Sequence, residues 1–324
     1  MGGQAGRLPT FRGSLEMLSV LIATRNGART LPLVLDTFTR LECPESGWKL
    51  VIVDNGSTDS TKDVIHSFQR VLPLAYLFES TPGKNAALNA GLASVEGDLV
   101  VFTDDDILPR PDWVANIRAA ADSQPLYSIF GGVILPRWEQ PPPGWIEWTD
   151  KIATFGLTFP ELREGSVTGG IWGGNMAIRA AVFKNGTRYD PSVGPRGTSY
   201  AMGSETELVR RLLRQGHKAW HVQNAVVEHF IRASQMSEAY VMARAVRSGR
   251  GMYRLSHAEL PATTRRWMGV PRFLFRTLAE LGISVVLAWL AIDRKKLFRA
   301  RWAFNRQWGQ IVEARRIHRE QRTD

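Results

Sequence analysis

Four apolar runs in the first part of the chain each end in a polar cluster, and each is followed by a stretch with helical spacing. "LSVLIAT" (18–24), "KLVIVD" (49–54), "LAYLFES" (74–80) and "DLVVFT" (98–103) read as strands. "RTLPLVLDTFTRL", the segment after "NGSTDS" through Val71, "GKNAALNAGLASV" and "PDWVANIRAAAD" read as helices. Asp59 or Ser57 is placed to cap the second helix, and Pro111 sits early in the fourth. Alternation of this kind predicts an α/β fold, a mostly parallel sheet covered by helices on both faces. Open sheets of that class bind ligands beyond the C-terminal ends of their strands. Those ends carry Thr24-Arg25-Asn26, Asp54-Asn55-Gly56 and Asp104-Asp105-Asp106, which should therefore face one crevice. No G-x-G-x-x-G follows the first strand, which excludes a dinucleotide-binding reading.

Three adjacent carboxylates at the end of a buried strand repel one another unless a cation joins them. A hard divalent ion takes oxygen ligands, often one or two carboxylates plus substrate phosphates. In an extended segment Asp104 and Asp106 share a face and Asp105 points away. The alternative is a solvated turn or a helix cap before "PRPDW", a job that Asp112 can do alone. Asp54 stands at another strand end, where an Asx-turn would also explain it. Lys84 opens a helix, where the dipole does not favour a cation, so either an anion joins it there or it is simply solvated.

The middle of the chain is less regular. "GGVILPRW" reads as a strand and "EQPPPGW" as a proline-rich loop; "TGGIWGGNMAIRAAVF" is glycine-rich and then helical. Trp138, Trp145, Trp148 and Trp172 flank these loops, where they suit either sugar stacking or core packing. "SETELVRRLLRQG" is a strongly amphipathic helix. Leu208, Val209, Leu212 and Leu213 define its apolar face, on which Glu205 also lies, while Glu207 has Arg211 as an outward ion-pair partner four residues on. An inward carboxylate in a first helical turn stays ionised with help from the dipole and can act as a general base. His229 ends the strand "AWHVQNAVVEHF" and becomes a candidate ligand only beside a metal.

The formal charge of +10 raises nucleic acid or an anionic membrane as a partner. From Arg250 to Asp324 there are 16 Lys and Arg against 6 Asp and Glu, which accounts for the whole excess. A near-neutral body argues against a nucleic-acid-binding core. The chain is expected to divide into a flexible leader (1–16), a catalytic domain (17–249) and a basic helical C-terminal region (250–324). In the last of these the uncharged run Leu281 to Ile292 is 12 residues long, short of the roughly 18 to 20 needed to span a bilayer. Leu297, Phe304, Trp308 and Ile311 share one face of the helix beyond it. That region either lies on an anionic membrane surface or packs on the catalytic domain. A single cysteine, Cys43, excludes an internal disulfide and a cysteine-based zinc site, and fits a reducing compartment.

Taken together, "SVLIATRNG", "VIVDNGSTDST", "GKNAALNAGLASVEGDLVVFTDDD", "GGNMAIR" and "GSETELVRRLLRQG" resemble the family 2 glycosyltransferases in order and spacing, from about Leu18 to His229. The resemblance implies a GT-A nucleotide-diphospho-sugar transferase fold, with a helical C-terminal extension added here. It further implies a nucleotide-sugar donor (a UDP-sugar favoured), a glycan or lipid-linked acceptor and Mg²⁺ or Mn²⁺. Asp54 would read the base, with Thr24 and Asn26 lining the donor pocket and Lys84 near the base or the diphosphate. Asp104 to Asp106 would be the Asp-x-Asp motif, Asp104 and Asp105 on the donor side and Asp105 near the ribose. Asp106 would be the main metal ligand, with Asp104 and His229 beside it. Trp172, Gly174 and Asn175 would line the acceptor side. Glu205 stands where the family usually has the Asp of a Glu-Asp pair, so it would be the catalytic base of an inverting transfer. A cytoplasmic protein, peripheral on the cytoplasmic face of the membrane through its C-terminal region, is the matching location. A sugar-phosphate nucleotidyltransferase is the alternative; it would want a glycine-rich phosphate loop after the first strand, and "ATRNGART" supplies one glycine. A basic nucleic-acid-binding protein is a third reading.

Overall fold

A computed structural model describes residues 17–159, 161–197 and 200–323; the expected leader lies outside them. The strands of the large sheet are β1 (Leu18–Thr24), β2 (Trp48–Asp54), β3 (Leu74–Phe78), β4 (Leu99–Asp104), β5 (Ile107–Pro109), β6 (Ile129–Trp138), β7 (Gly165–Val167), β8 (Met176–Arg179) and β9 (Ala219–Ile231). The helices are α1 (Leu31–Phe38), α2 (Thr61–Phe68), α3 (Lys84–Gly91), α4 (Trp113–Ser123), α5 (Lys151–Phe155), α6 (Ala181–Lys184), α7 (Ser204–Arg214), α8 (Glu238–Ser256), α9 (Arg272–Leu290) and α10 (Arg294–Thr323).

One sheet runs in the order β3-β2-β1-β4-β8-β6-β9-β5, with β7 also on β9. β1 to β4 pair in parallel, as the alternation requires. β8 then enters antiparallel between β4 and β6. Its source is "NMAIR", where the sequence pointed to a helix; four residues of strand pass unnoticed when flanked by glycines and an Ala-rich segment. Both faces of the sheet are covered, which explains why β1 is apolar without alternation. Leu18, Val20 and Ile22 join Leu31, Val34, Leu35 and Phe38 of α1 with Trp113 and Ile117 of α4. Leu21 and Ala23 face the opposite way onto Ala87 and Leu88 of α3, with Leu208 and Leu212 of α7 in the same cluster. Each such buried aliphatic side chain contributes roughly 1.5–3 kcal/mol relative to exposure. Ser60 and Asp112 hold the N-cap positions of α2 and α4, and neither makes a side-chain capping bond. Asp59 instead accepts from the Thr61 N–H.

The C-terminal helices form a layer on this body. α8 runs without interruption through Arg250, and α10 packs along it. At their crossing a Cβ on Gly249 would fall 1.7 Å from the Arg306 carbonyl oxygen, and one on Gly309 would fall 2.1 Å from that of Val246. Only hydrogen fits at these two positions, and the backbones approach accordingly. Glu313 of α10 is fully buried, 2.7 Å from Arg250 Nε and 2.5 Å from Arg254 Nε of α8. A carboxylate shared by two guanidiniums adds little net stability over an apolar contact, but it fixes one register between the helices. α10 therefore buries Phe298, Gln307, Ile311, Ala314 and Ile317, while Trp308 remains exposed. The single apolar face read from the sequence does not exist as such, because α10 is contacted by α8 and by α9, and polar residues at the contacts are satisfied there. Gln307, for instance, donates to the Leu274 carbonyl at 3.0 Å.

α9 also differs from expectation. The helix extends N-terminally past the uncharged run, and its charges at Arg276 and Glu280 pair with each other at 2.9 Å. It is thereby the one helix among the described residues long and apolar enough to cross a membrane by length and composition. Leu274 and Ala288 are buried, whereas Phe273, Ile283, Val286, Leu287, Trp289 and Leu290 face out, Trp289 at 66% exposure.

Candidate active site

The sheet register puts Thr24 opposite Asp54 and Ala23 opposite Asp104, so β1, β2 and β4 end at one level. A cavity of about 700 Å³ opens there. Of the residues singled out from the sequence, Thr24, Asn26, Lys84, Asp104, Asp105, Asp106, Trp172, Gly174, Glu205 and His229 line it.

The three carboxylates coexist because each has a different partner. Asp104, the last residue of β4, is ion-paired with the Lys84 ammonium at the start of α3. Burial works against that charged lysine, but Asp104, then Glu205 and Asp106, push its pKa above the usual range. The chain turns directly after Asp104, so Asp105 does not point away as an extended strand would place it. Its Oδ2 accepts a hydrogen bond of 2.5 Å from Thr24 Oγ1. Burial, and then the charge of Asp106, push Asp105 up to about 7. Gly27 leaves room for this pair, since a Cβ there would fall 2.4 Å from Thr24 Oγ1. Asp106 faces His229, whose Nε2 lies 3.5 Å from its Oδ2. The two meet because β5 pairs antiparallel with β9, setting Ile107 opposite His229. Burial alone would raise Asp106; His229, with Arg232 and Lys84 beyond it, holds it below the usual carboxylate range. Burial likewise opposes a charged His229, and Asp106 outweighs it, so that the imidazole titrates above its ordinary value. His229 Nδ1 donates to the Phe155 carbonyl at 2.6 Å, which aims Nε2 at Asp106.

Glu205 is the second residue of α7. Gly203, at φ 111°, turns the chain into that helix in a conformation that favours glycine. A Cβ on Gly173 would lie 3.6–3.8 Å from the Cβ, Cγ and Cδ of Glu205, so the carboxylate runs along the Gly173 backbone. Its charge reaches both Lys84 and Tyr189. Glu207 points elsewhere, 2.8 Å from Arg211 Nε, as its spacing indicated.

Three expected residues also make structural hydrogen bonds. Asp54 is buried, accepts from the Ser57 N–H at 2.9 Å and from Tyr76 Oη at 3.2 Å, and is not among the cavity-lining side chains. Asn175 is buried with its amide saturated: Oδ1 accepts from Trp113 Nε1 at 2.9 Å, and Nδ2 donates to the carbonyls of Val133 and Ala225. It ties α4, β6 and β9 together and presents nothing to a ligand. Asn26 lines the cavity, yet its Oδ1 accepts from the Thr58 N–H at 2.8 Å, joining the loops after β1 and β2. Conversely, Arg232, Tyr240 and Arg244 line the wall beside His229 and went unnoticed. Arg232 stands three residues after His229, so the "HFIR" run was the available signal.

The residues fit a divalent ion held jointly with a substrate. Among the described residues no three His, Cys, Asp or Glu side chains are grouped so as to hold a metal unaided. Asp106 and His229 offer two donors in one open cavity, and a hard cation completes such a set with phosphate oxygens.

Solved structures share this architecture. The mannosyltransferase PcManGT from Pyrobaculum calidifontis, in complex with GDP-Man and Mn²⁺, aligns with a TM-score of 0.60 over 92% of this chain and 86% of its own, at 17% identity. S. aureus TarS 1–349 in complex with UDP-GlcNAc aligns with a TM-score of 0.51 over 94% and 91%, at 15% identity. The fold is that of the GT-A glycosyltransferases. Among curated proteins, validoxylamine A glucosyltransferase of Streptomyces hygroscopicus subsp. jinggangensis is 32% identical over 115 residues, 35% of this chain and 27% of the relative. Undecaprenyl-phosphate 4-deoxy-4-formamido-L-arabinose transferase of Salmonella choleraesuis is 29% identical over 112 residues, 33% of this chain and 34% of the relative. The matched stretch thus spans about a third or less of the length of either relative. Residues 19–187, from β1 past α6 and more than half of the chain, match "Glycosyl transferase family 2", and the chain belongs to that family.

Proposed function

We propose that this protein transfers a sugar from a nucleotide-diphosphate sugar to a hydroxyl of its acceptor with inversion at the anomeric carbon. The observation that carries the reading is the convergence of Lys84, Asp104, Asp105, Asp106, His229 and Glu205 on one cavity at the C-terminal ends of the strands. Glu205 takes the proton of the acceptor hydroxyl. The freed oxygen attacks the anomeric carbon from the face opposite the diphosphate; the bond between the anomeric carbon and the diphosphate oxygen breaks, and its electron pair leaves with the nucleoside diphosphate. Asp106 and His229 would hold Mg²⁺ or Mn²⁺, which supplies positive charge where negative charge grows on the leaving group. Lys84 holds Asp104 in place and keeps its own proton across the physiological range. Thr24 and Asp105 lie on the donor side.

With Mn²⁺ present, UDP- and GDP-sugars should be screened by thermal unfolding. A true donor at a hundredfold over its Kd stabilises the fold by about 2.7 kcal/mol, and omitting the metal should remove that gain. No shift with any nucleotide sugar, together with pyrophosphate release from a nucleoside triphosphate plus a sugar phosphate, would transfer the site to the nucleotidyltransferase reading.

The same proposal includes a peripheral seat on an anionic membrane. Its support is the C-terminal half of α9, where Ile283, Val286, Leu287, Trp289 and Leu290 form an exposed apolar strip, with Arg294, Lys295, Lys296 and Arg299 directly beyond it. Its inner face meets α10, which is itself locked on α8, so α9 suits lying in the interface plane. Leu287→Asp combined with Leu290→Asp should lower partitioning onto phosphatidylglycerol vesicles by about 10²-fold, read by co-sedimentation. Unchanged partitioning would remove α9 from the membrane contact.

A further inference from the structure

Arg232 and Arg244 form a cationic wall on the cavity, and glycosyl transfer as described brings neither guanidinium into contact with a substrate. Arg232 follows directly on β9, and its backbone N–H donates to Gln235 Oε1 at 2.8 Å. Arg244 projects from α8, and its guanidinium makes a long bond, 3.4 Å from Nε to the Ala153 carbonyl. Both line the cavity and both are half-buried. Among the described residues neither has a carboxylate within ion-pair distance, whereas the other buried cation of the cavity, Lys84, has Asp104. Their charges are felt inside the site, Arg232 by Asp106 and Arg244 by His229.

Four arginines line the cavity. Arg25 and Arg196 are exposed at its rim, while Arg232 and Arg244 are half-buried on the wall formed by β9, α5 and α8, away from the strand ends of β1 and β2. Guanidinium forks match phosphate oxygens in charge and geometry. The wall is also continuous with the apolar layer: α5 follows a turn whose Trp145 and Trp148 pack on Phe298 of α10, 5.4 and 6.2 Å between ring centroids.

We propose that Arg232 and Arg244 bind a phosphate ester carried by the acceptor. The inference rests on the glycosyl-transfer reading. It is tested by titration calorimetry of the full chain saturated with UDP and Mn²⁺, and with GDP and Mn²⁺ in parallel. The probes are glycerol 1-phosphate, glycerol, and dodecyl phosphate below its micelle concentration. Glycerol 1-phosphate should bind and glycerol should not. Arg232→Gln and Arg244→Gln should each weaken it by about tenfold or more, Arg244→Lys should weaken it less, and nucleotide affinity should stay within about twofold in the Arg244 variants. Dodecyl phosphate binding more than about tenfold tighter than glycerol 1-phosphate would identify a lipid-borne phosphate, and equal binding a soluble one. Matching unfolding temperatures show that the variants are folded, and Arg244→Lys retains the test if a Gln variant is not. The proposal is overturned if glycerol 1-phosphate does not bind, if both Gln variants bind it as the parent does, or if nucleotide affinity falls in parallel in the Arg244 variants. If neither nucleotide binds, the glycosyl-transfer reading fails separately, and the phosphate titration of the unliganded chain still judges the two arginines.

Discussion

Glu205→Gln is expected to lower kcat by about 10²- to 10⁴-fold while the Kd of the nucleotide sugar stays within about twofold. The amide fills the same space along the Gly173 backbone but cannot accept the proton of a hydroxyl. Donor contacts are made across the cavity by other side chains, so binding survives. Glu205 is suited to the task by position. It sits in the first turn of α7 and lines the cavity, with its side chain along the Gly173 backbone. Among the described residues it has no ion-pair partner, so its lone pairs are free for an acceptor. Glu205→Asp restores the residue usual in the family but retracts the carboxylate by one methylene. On a backbone set for Glu this should cost about 10- to 10²-fold in kcat. Single-turnover rates with donor Kd measured separately check both. Full activity in Glu205→Gln would mean that the nucleophile arrives already ionised, as a phosphate oxygen would, or that another group is the base.

What the sequence made legible follows the range of the interactions. β1 to β4 and their helices are specified by local apolar runs and short loops, and parallel pairing of such units has few alternatives. The crevice followed, because strand ends in register bring Thr24, Asp104 and their neighbours to one edge. The division of labour among the three acids was not legible, since it depends on a turn after Asp104 and on partners from α3, β1 and β9. Lys84 is 20 residues from Asp104 and Thr24 is 81 from Asp105, and nothing local announces either pair. Nor does the sequence reveal the bonds of Asn175, a polar residue in a glycine-rich loop whose amide is bonded to three distant elements. At α9 and α10 periodicity failed because each helix meets more than one neighbour, so that buried Glu313 and exposed Trp308 reverse the usual expectation.

Asp106→Ala is expected to abolish metal-dependent donor binding, with Mn²⁺ affinity in the presence of UDP reduced by about 10²-fold or more and activity near background. Asp106 is the carboxylate that His229 and Arg232 hold below the usual range, and its Oδ2 faces the His229 imidazole. Asp104 is engaged by Lys84, and Asp105 is held near neutrality at about 7 with Thr24 as its partner. The substitution should also leave a mark on the metal-free protein. His229 titrates above its ordinary value because Asp106 outweighs its burial. A raised folded value means that the folded protein binds the proton more tightly. That stabilisation is complete below about pH 6.5, the unfolded histidine value, and is lost as pH rises through the folded value. Without Asp106, burial acts on His229 unopposed by its main partner, and the acid-side stabilisation should disappear. Denaturant unfolding of metal-free parent and variant from about pH 5 to about pH 8, the histidine range, separates the two effects. A variant that loses Mn²⁺ binding yet keeps the parent's pH profile would place the metal on Asp106 while denying the coupling to His229. Retained Mn²⁺ affinity would move the metal to Asp104 or Asp105.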